Sequence, residues 1–347
     1  MKRLWVLLAI VAVIGLVLSG TAFAGGQQES GGGESGEMGE EPPGVALLLP
    51  GSISDHGWNY VAHQALMQVK EEMGSEVAFS EKVPSSDYEE VFRGYATQGF
   101  DVVMGHGFEF GDAAMKVAQN FPETYFIVTS TNISQEPNVA SFRINDPQSG
   151  FVQGVLAALM SDSKTVGIIG GMEIPPIINQ QNGFEAGVRY AEEQYLDGEV
   201  KVRKAMTGSF HDVAKGKEMA KAMIEAGADV LVGDADETNL GIFEAVKETD
   251  GVVAIGSSGD QAEAAPDVVV TSLVEDFGVA FTVLLGEIQE GKFEAKAHEM
   301  GLEDGVVSMA PFRKFEDDIS DQTKDRINTV IEKLKTGEIN VDKYLEY

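Results

Sequence analysis

The sequence predicts an α/β fold of two doubly wound parallel-sheet lobes with a ligand cleft between them. Three observations carry this: short β-branched apolar runs, amphipathic stretches alternating with them, and about 300 residues of such pattern, more than one hydrophobic core usually serves.

The runs VALLLP (45–50), DVVMGHG (101–107), YFIVTST (125–131), TVGIIGG (165–171), DVLVGDA (229–235) and GVVAIGSS (251–258) are apolar without alternation. That pattern fits strands buried on both faces, as in a parallel sheet. Between them, residues 59–74, 112–122, 182–198 and 214–228 repeat apolar side chains every three or four positions and read as helices. Gly74, Gly198 and Gly227 follow helical stretches, where a left-handed cap favours glycine. One α/β block runs from Val45 to Ile144 and a similar one from Asp146 to about Gly259. In open α/β sheets ligands sit beyond the carboxyl ends of the strands, so the loops there are the place to look for function.

Ahead of these blocks, Lys2 and Arg3 precede an apolar run from Leu4 to Leu18 that closes on Ala22-Phe23-Ala24. This is the pattern of a signal peptide (1–24) cleaved after Ala24. The run falls short of the ~20 apolar residues that span a bilayer. Residues 25–43, rich in Gly, Glu and Ser, form a flexible leader, because they have little apolar surface to bury. The sequence has no cysteine, so neither disulfides nor a cysteine-linked lipid tether is expected. The formal charge is −31, and loss of Lys2 and Arg3 makes the mature chain more negative still. Nucleic acid and anionic membrane surfaces are therefore poor partners.

The loop PGSISDHGWN (50–59) follows the first strand, and Ser54 or Asp55 is placed to cap the next helix. Trp58 is either core beneath this loop or a plate on which a flat ligand stacks, and its neighbours Asp55, His56 and Asn59 favour the plate. GHGFEFGD (105–112) makes a tight turn with Gly107 and puts Phe108 at its tip. GGMEIPPIINQQNGF (170–184) reads as a long loop that delivers Asn182 and Phe184 to the start of a helix. Phe184 is then a second plate opposite Trp58, or else packing between helix and sheet. Asp234, Asp236 and Glu237 follow one late strand and Asp260 another, as hydrogen-bond acceptors for ring N–H groups or sugar hydroxyls, or as helix caps.

Catalytic signals are thin. The five histidines, His56, His63, His106, His211 and His298, lack metal-ligand spacing, and there is no G-x-S-x-G elbow, P-loop or cysteine nucleophile. An enzyme is not expected, and no cofactor or metal.

The motifs SDHGWN, GF at 107–108 with the stretch ending at Pro122, FVQGVLAALMSDSKTVGIIGG (151–171), GFEAGV (183–188) and IGSSGDQ…VVVTS (255–272) resemble the basic-membrane-protein family. These are extracytoplasmic purine-nucleoside receptors of ABC importers, and the likeness runs from Val45 to about Pro311. It implies a type I periplasmic-binding fold with three crossings, lobe I at 44–144 plus about 272–292 and lobe II at 145–271 plus about 293–312, followed by a C-terminal helix and tail (313–347) of unassigned packing. It implies ligand contacts by Asp55, Trp58 and Asn59, with Phe184 as second aromatic and Asp260 or Asp234 as the late acid. An ABC permease in the cytoplasmic membrane is the implied partner of a monomeric receptor. In two places the chain departs from the family. Glu275 stands near where many nucleoside-binding members carry a ribose-holding Lys, and Thr129 stands where many carry Asp. A free nucleobase or another flat heterocycle thus joins the nucleoside as candidate ligand. A sensor partner, or a purine-nucleoside hydrolase using Asp55 and His56, is the alternative reading.

Overall fold

The computed structural model describes residues 42–345 apart from His56. The signal peptide, the leader up to residue 41 and His56 lie outside the described residues.

The chain opens with β1 (Val45–Leu48), α1 (Trp58–Met73), β2 (Val77–Ser80), α2 (Tyr88–Gln98), β3 (Val102–Gly105), α3 (Gly111–Ala118), β4 (Tyr125–Thr129) and β5 (Val139–Ile144). It continues with α4 (Asp146–Met160), β6 (Thr165–Gly170), α5 (Pro175–Tyr195), β7 (Lys201–Met206), α6 (Val213–Glu225), β8 (Val230–Asp234), α7 (Asn239–Lys247), β9 (Val253–Ser258) and β10 (Val269–Glu275). Last come α8 (Phe277–Gln289), β11 (Ala297–Met300), β12 (Val307–Met309) and α9 (Asp321–Lys335).

These strands form two sheets of the same topology, β2-β1-β3-β4-β5-β11 and β7-β6-β8-β9-β10-β12. The first is parallel throughout, and the second is parallel except for β12 against β10. Strand order reverses between β1 and β3 and again between β6 and β8, which opens a crevice at the carboxyl end of each sheet. The described chain passes between the lobes three times: after β5, between β10 and α8, and between β11 and β12. β11 pairs with β5, so residues 297–300 belong to the first lobe and correct the sequence assignment of 293–312 to the second.

Strand alternation divides the core. Val45, Leu47, Val102 and Met104 face one apolar cluster that runs through both lobes, whereas Ala46, Leu48 and Val103 face α2 and α3 on the opposite side. A third cluster lies under α6 and α7.

The contact between α4 and α5 is made by glycine. A Cβ on Gly150 would lie 2.0 Å from the Gln180 carbonyl oxygen, and one on Gly154 2.0 Å from that of Phe184. Gly183 and Gly187 meet Pro147 and Phe151 in the same way at 2.1 Å, so the two backbones touch with nothing between them.

α5 begins at Pro175, not after residue 181 as the sequence reading had it. Pro175 and Pro176 occupy its first positions, where a missing N–H costs nothing and a fixed φ suits the helix. The strands that escaped the sequence reading include the edges β2 and β7, whose VAFS and KVRKAM are partly exposed and carry a weak apolar signal. The C-terminal α9 packs on α4 through buried Ile327, Val330 and Leu334, which gives the tail a definite place. Among the described residues no helix is long and apolar enough to cross a membrane.

Candidate ligand-binding site

The loops after β1, β3, β6 and β8, joined by the ends of β9 and β10, enclose a cleft of about 410 Å³. From the first lobe, Trp58, Gly107, Phe108 and Glu109 line it. From the second come Met172, Ile174, Pro176, Ile177, Gln180 and Phe210, with the carboxylates of Asp146, Asp234, Asp236 and Glu275 at its walls. The volume and the mix of apolar walls with a few polar groups are those of a small-molecule site.

Asp55 builds the first wall from behind and does not line the cleft. One carboxylate oxygen accepts from the backbone N–H of Gly57 and Tyr60, both at 3.0 Å. The other accepts from the Asn59 backbone at 2.9 Å and the Asn59 amide at 2.7 Å. Asp55 thereby satisfies free N–H groups in the first turn of α1 and is itself buried. The Asn59 side-chain oxygen accepts from Gly51 N–H at 3.0 Å, so Asn59 borders the cleft with its amide already committed. The direct ligand contacts expected of Asp55 and the Asn59 amide are therefore corrected: both hold the loop that presents Trp58.

The Trp58 indole is half-buried in the cleft wall and stacks on His106, with ring centroids 4.1 Å apart and planes at 24°. Phe277 meets the same indole edge-on at 5.2 Å. His106 is fully buried, and burial pushes its pKa down to about 3, so the imidazole is neutral. Gly107 N–H donates to Thr129 Oγ1 at 2.9 Å, and Thr129 Oγ1 lies 3.1 Å from His106 Nδ1. His106 Nε2 is 3.0 Å from the Trp58 carbonyl, an acceptor only. The proton therefore sits on Nε2, and the threonine hydroxyl donates to Nδ1. Thr129 thus serves the plate from behind. Gly107 takes φ +132, and Phe108 stands 41% exposed at the cleft edge.

Phe184 is not a second plate. Its ring is fully buried in the main core, and its backbone lies against Gly154, because α5 starts early and turns this residue onto α4. Asn182 lies on the same helix and lines a separate cavity with Arg143, Asn145 and Glu299, outside the cleft. The aromatic that the second lobe contributes is Phe210, in the loop after β7, half-buried with its ring against Gly171. It was missed because β7 was missed.

Asp260 is also displaced from the cleft: it pairs with Arg313, accepts from Ala262 N–H at 3.3 Å and lines a neighbouring cavity. Asp234, at the end of β8, is the late acid in the cleft. It is 7% exposed, and Oδ2 has no hydrogen-bond partner. Glu275, at the end of β10, is 9% exposed with Oε2 equally unpartnered, and its other contact is to the Ser258 side chain. Burial raises both carboxyls, Glu275 to about 7, and the nearby Glu275 raises Asp234 further. Asp146 and Asp236 are raised for the same first reason, burial, with Glu275 adding to the shift in Asp146 and Asp55 in Asp236. The sequence had placed Glu275 near the position of a family ribose-holding Lys, and the structure puts its carboxylate in the cleft wall.

Asp236 also joins the lobes. Its carboxylate accepts from the Trp58 backbone N–H, and its Cα is 3.4 Å from where a Cβ on Gly57 would sit. The residue holds φ +48, unusual for a side chain other than glycine.

The whole described fold also matches known proteins. Residues 43–344 match the family described as ABC transporter substrate-binding protein, PnrA-like. This chain belongs to that family. It is a substrate-binding protein of ABC transporters, of the basic-membrane-protein family, and not an enzyme. A purine-binding protein of Brucella abortus is 27% identical over 96% of this chain and 88% of that one. The ABC transporter nucleoside-binding protein BmpA of Lactococcus lactis is 27% identical over 82% and 86%. An ABC transporter solute-binding protein of Aeropyrum pernix superposes with a TM-score of 0.76, covering 86% of this chain and 93% of that one at 24% identity, which establishes the shared fold. PnrA-like proteins of this kind bind small molecules and engage permease components.

Proposed function

We propose that this PnrA-like protein captures a purine nucleoside or purine nucleobase outside the cytoplasm and delivers it to an ABC permease. The observation that carries the proposal is the Trp58 indole, set in the cleft wall and backed by His106. A plate held in place before the ligand arrives loses little freedom on binding, and stacking adds ~1 kcal/mol beyond area burial. Phe210 lines the same cleft from the second lobe and is the second aromatic surface in this reading. The buried acceptors Asp234 and Glu275 read the ligand's N–H and hydroxyl donors. The names of the Brucella and Lactococcus relatives point the same way.

Lobe closure around the ring uses the Asp236–Trp58 contact, which joins the two lobes beside the cleft. In this reading the protein is exported, carries no cysteine-linked lipid and acts as a monomer; the export signature and the lack of cysteine support the first two points. Thermal-shift measurements across purine nucleosides and nucleobases test the ligand class. A shift with at least one purine is expected, and none with any of them would sink the proposal.

A further inference from the structure

We propose that the Asp234–Glu275 end of the cleft receives a positively charged nitrogen of the ligand, so that the protein prefers cationic heterocycles over their neutral counterparts. This rests on reading the cleft as the site of a flat ring.

The charge inventory is one-sided. Asp146, Asp234, Asp236, Glu275 and Glu109 line the cleft, and among the described residues its lining contains no Lys or Arg; His211 also lines it, with its Nδ1 3.5 Å from the Glu237 carboxylate. His106, behind the plate, is held neutral by burial and supplies no counter-charge. Asp234 and Glu275 are more than nine-tenths buried, and each keeps one carboxylate oxygen without a partner. A buried carboxylate left unpaired costs far more than a paired one, so these two groups stay protonated or acquire a cation.

A metal ion is not that cation. Among the described residues no group of three or more His, Cys, Asp or Glu is arranged to hold one. The two acids end β8 and β10, which flank β9, so the carboxylates serve a group spread over several ångströms. A ring with delocalised positive charge has that extent, and the Trp58 face adds a cation–π attraction that a neutral ring lacks. A neutral nucleoside offers ordinary hydrogen bonds only. Charge-assisted ones are about twice as strong.

Isothermal titration calorimetry with two methyladenosines tests this: 1-methyladenosine, cationic at neutral pH, and N6-methyladenosine, neutral with the same heavy atoms. Adenosine and the pyridinium 1-methylnicotinamide complete the panel. The cation is expected to bind about tenfold tighter than its neutral counterpart, and Asp234→Asn should collapse that ratio. Glu275→Gln makes the same measurement if the first variant does not fold. Equal or tighter binding of the neutral counterpart, or a ratio that survives both substitutions, overturns the inference and leaves the purine reading standing. Binding of 1-methylnicotinamide with no purine of either charge overturns the purine reading and keeps this one. If none of the four binds, both fall.

Discussion

The indole of Trp58 rests on the imidazole of His106, and the same imidazole bonds through Nε2 to the carbonyl of Trp58 itself. One residue thus holds both the ring and the backbone of the plate, and the Thr129 hydroxyl holds that residue in turn. Replacing His106 with Ala removes a buried ring and leaves the Thr129 hydroxyl without its acceptor. The expected cost is about 2–3 kcal/mol in urea denaturation. Trp5 and Trp58 are the two tryptophans, so in protein produced without residues 1–24 the emission reports Trp58 alone and should also shift to the red in this variant.

Phe210 and Phe184 separate ligand affinity from stability. Phe210→Ala, like Trp58→Ala, should weaken purine binding by about tenfold with little loss of stability, since both rings are partly exposed at the cleft. Phe184→Ala should instead cost about 3–5 kcal/mol of stability, because the ring lies fully in the core. Calorimetry and denaturation on the three variants decide the assignment, and an affinity loss confined to Phe184→Ala would restore it to the cleft.

Glu275 ties stability to pH. Its carboxyl is raised from 4.5 to about 7, so between those values the folded protein keeps a proton that the unfolded chain releases. The stability it contributes is fully present below about pH 4.5 and is lost as pH rises through about 7. His106, lowered from 6.5 to about 3, acts in the opposite sense: its contribution is present above 6.5 and is lost as pH falls through about 3. Glu275→Gln isolates the first term. Relative to the native protein, the variant should gain roughly 2–3 kcal/mol between pH 4.5 and 8, read as the difference between two denaturation series. A difference that stays flat with pH would refute the raised carboxyl.

Gly154 tests the helix contact that fixes the second lobe. Gly154→Ala places a methyl 2.0 Å from the Phe184 carbonyl oxygen, and neither backbone has room to retreat. A loss of about 3 kcal/mol is expected. Gly94→Ala, at a half-buried position of α2 with nothing within 4 Å of the added methyl, should be neutral or slightly stabilising.

The central strands were legible in the sequence because burial on both faces leaves unbroken apolar runs, as in VALLLP and TVGIIGG. The edge strand KVRKAM was not legible, since one exposed face admits charge, and Phe210 was lost with it. The start of α5 was misplaced because IPPIINQQNG looks like loop by composition, although two prolines at a helix start are compatible with it. That one shift moved Asn182 and Phe184 out of the expected site.

By itself the sequence determined the α/β class, the order of the main strands, the family, and Trp58 and Asp234 as residues of strand-end loops. These follow from local periodicity and from position along the chain. Only the tertiary structure decided which polar groups are already satisfied: Asp55 spends both oxygens on α1, Asp260 is paired with Arg313, and Asp234 and Glu275 retain a free oxygen each. The reason is physical. Whether a carboxylate binds a ligand depends on what else reaches it, and those partners come from segments far apart in the chain.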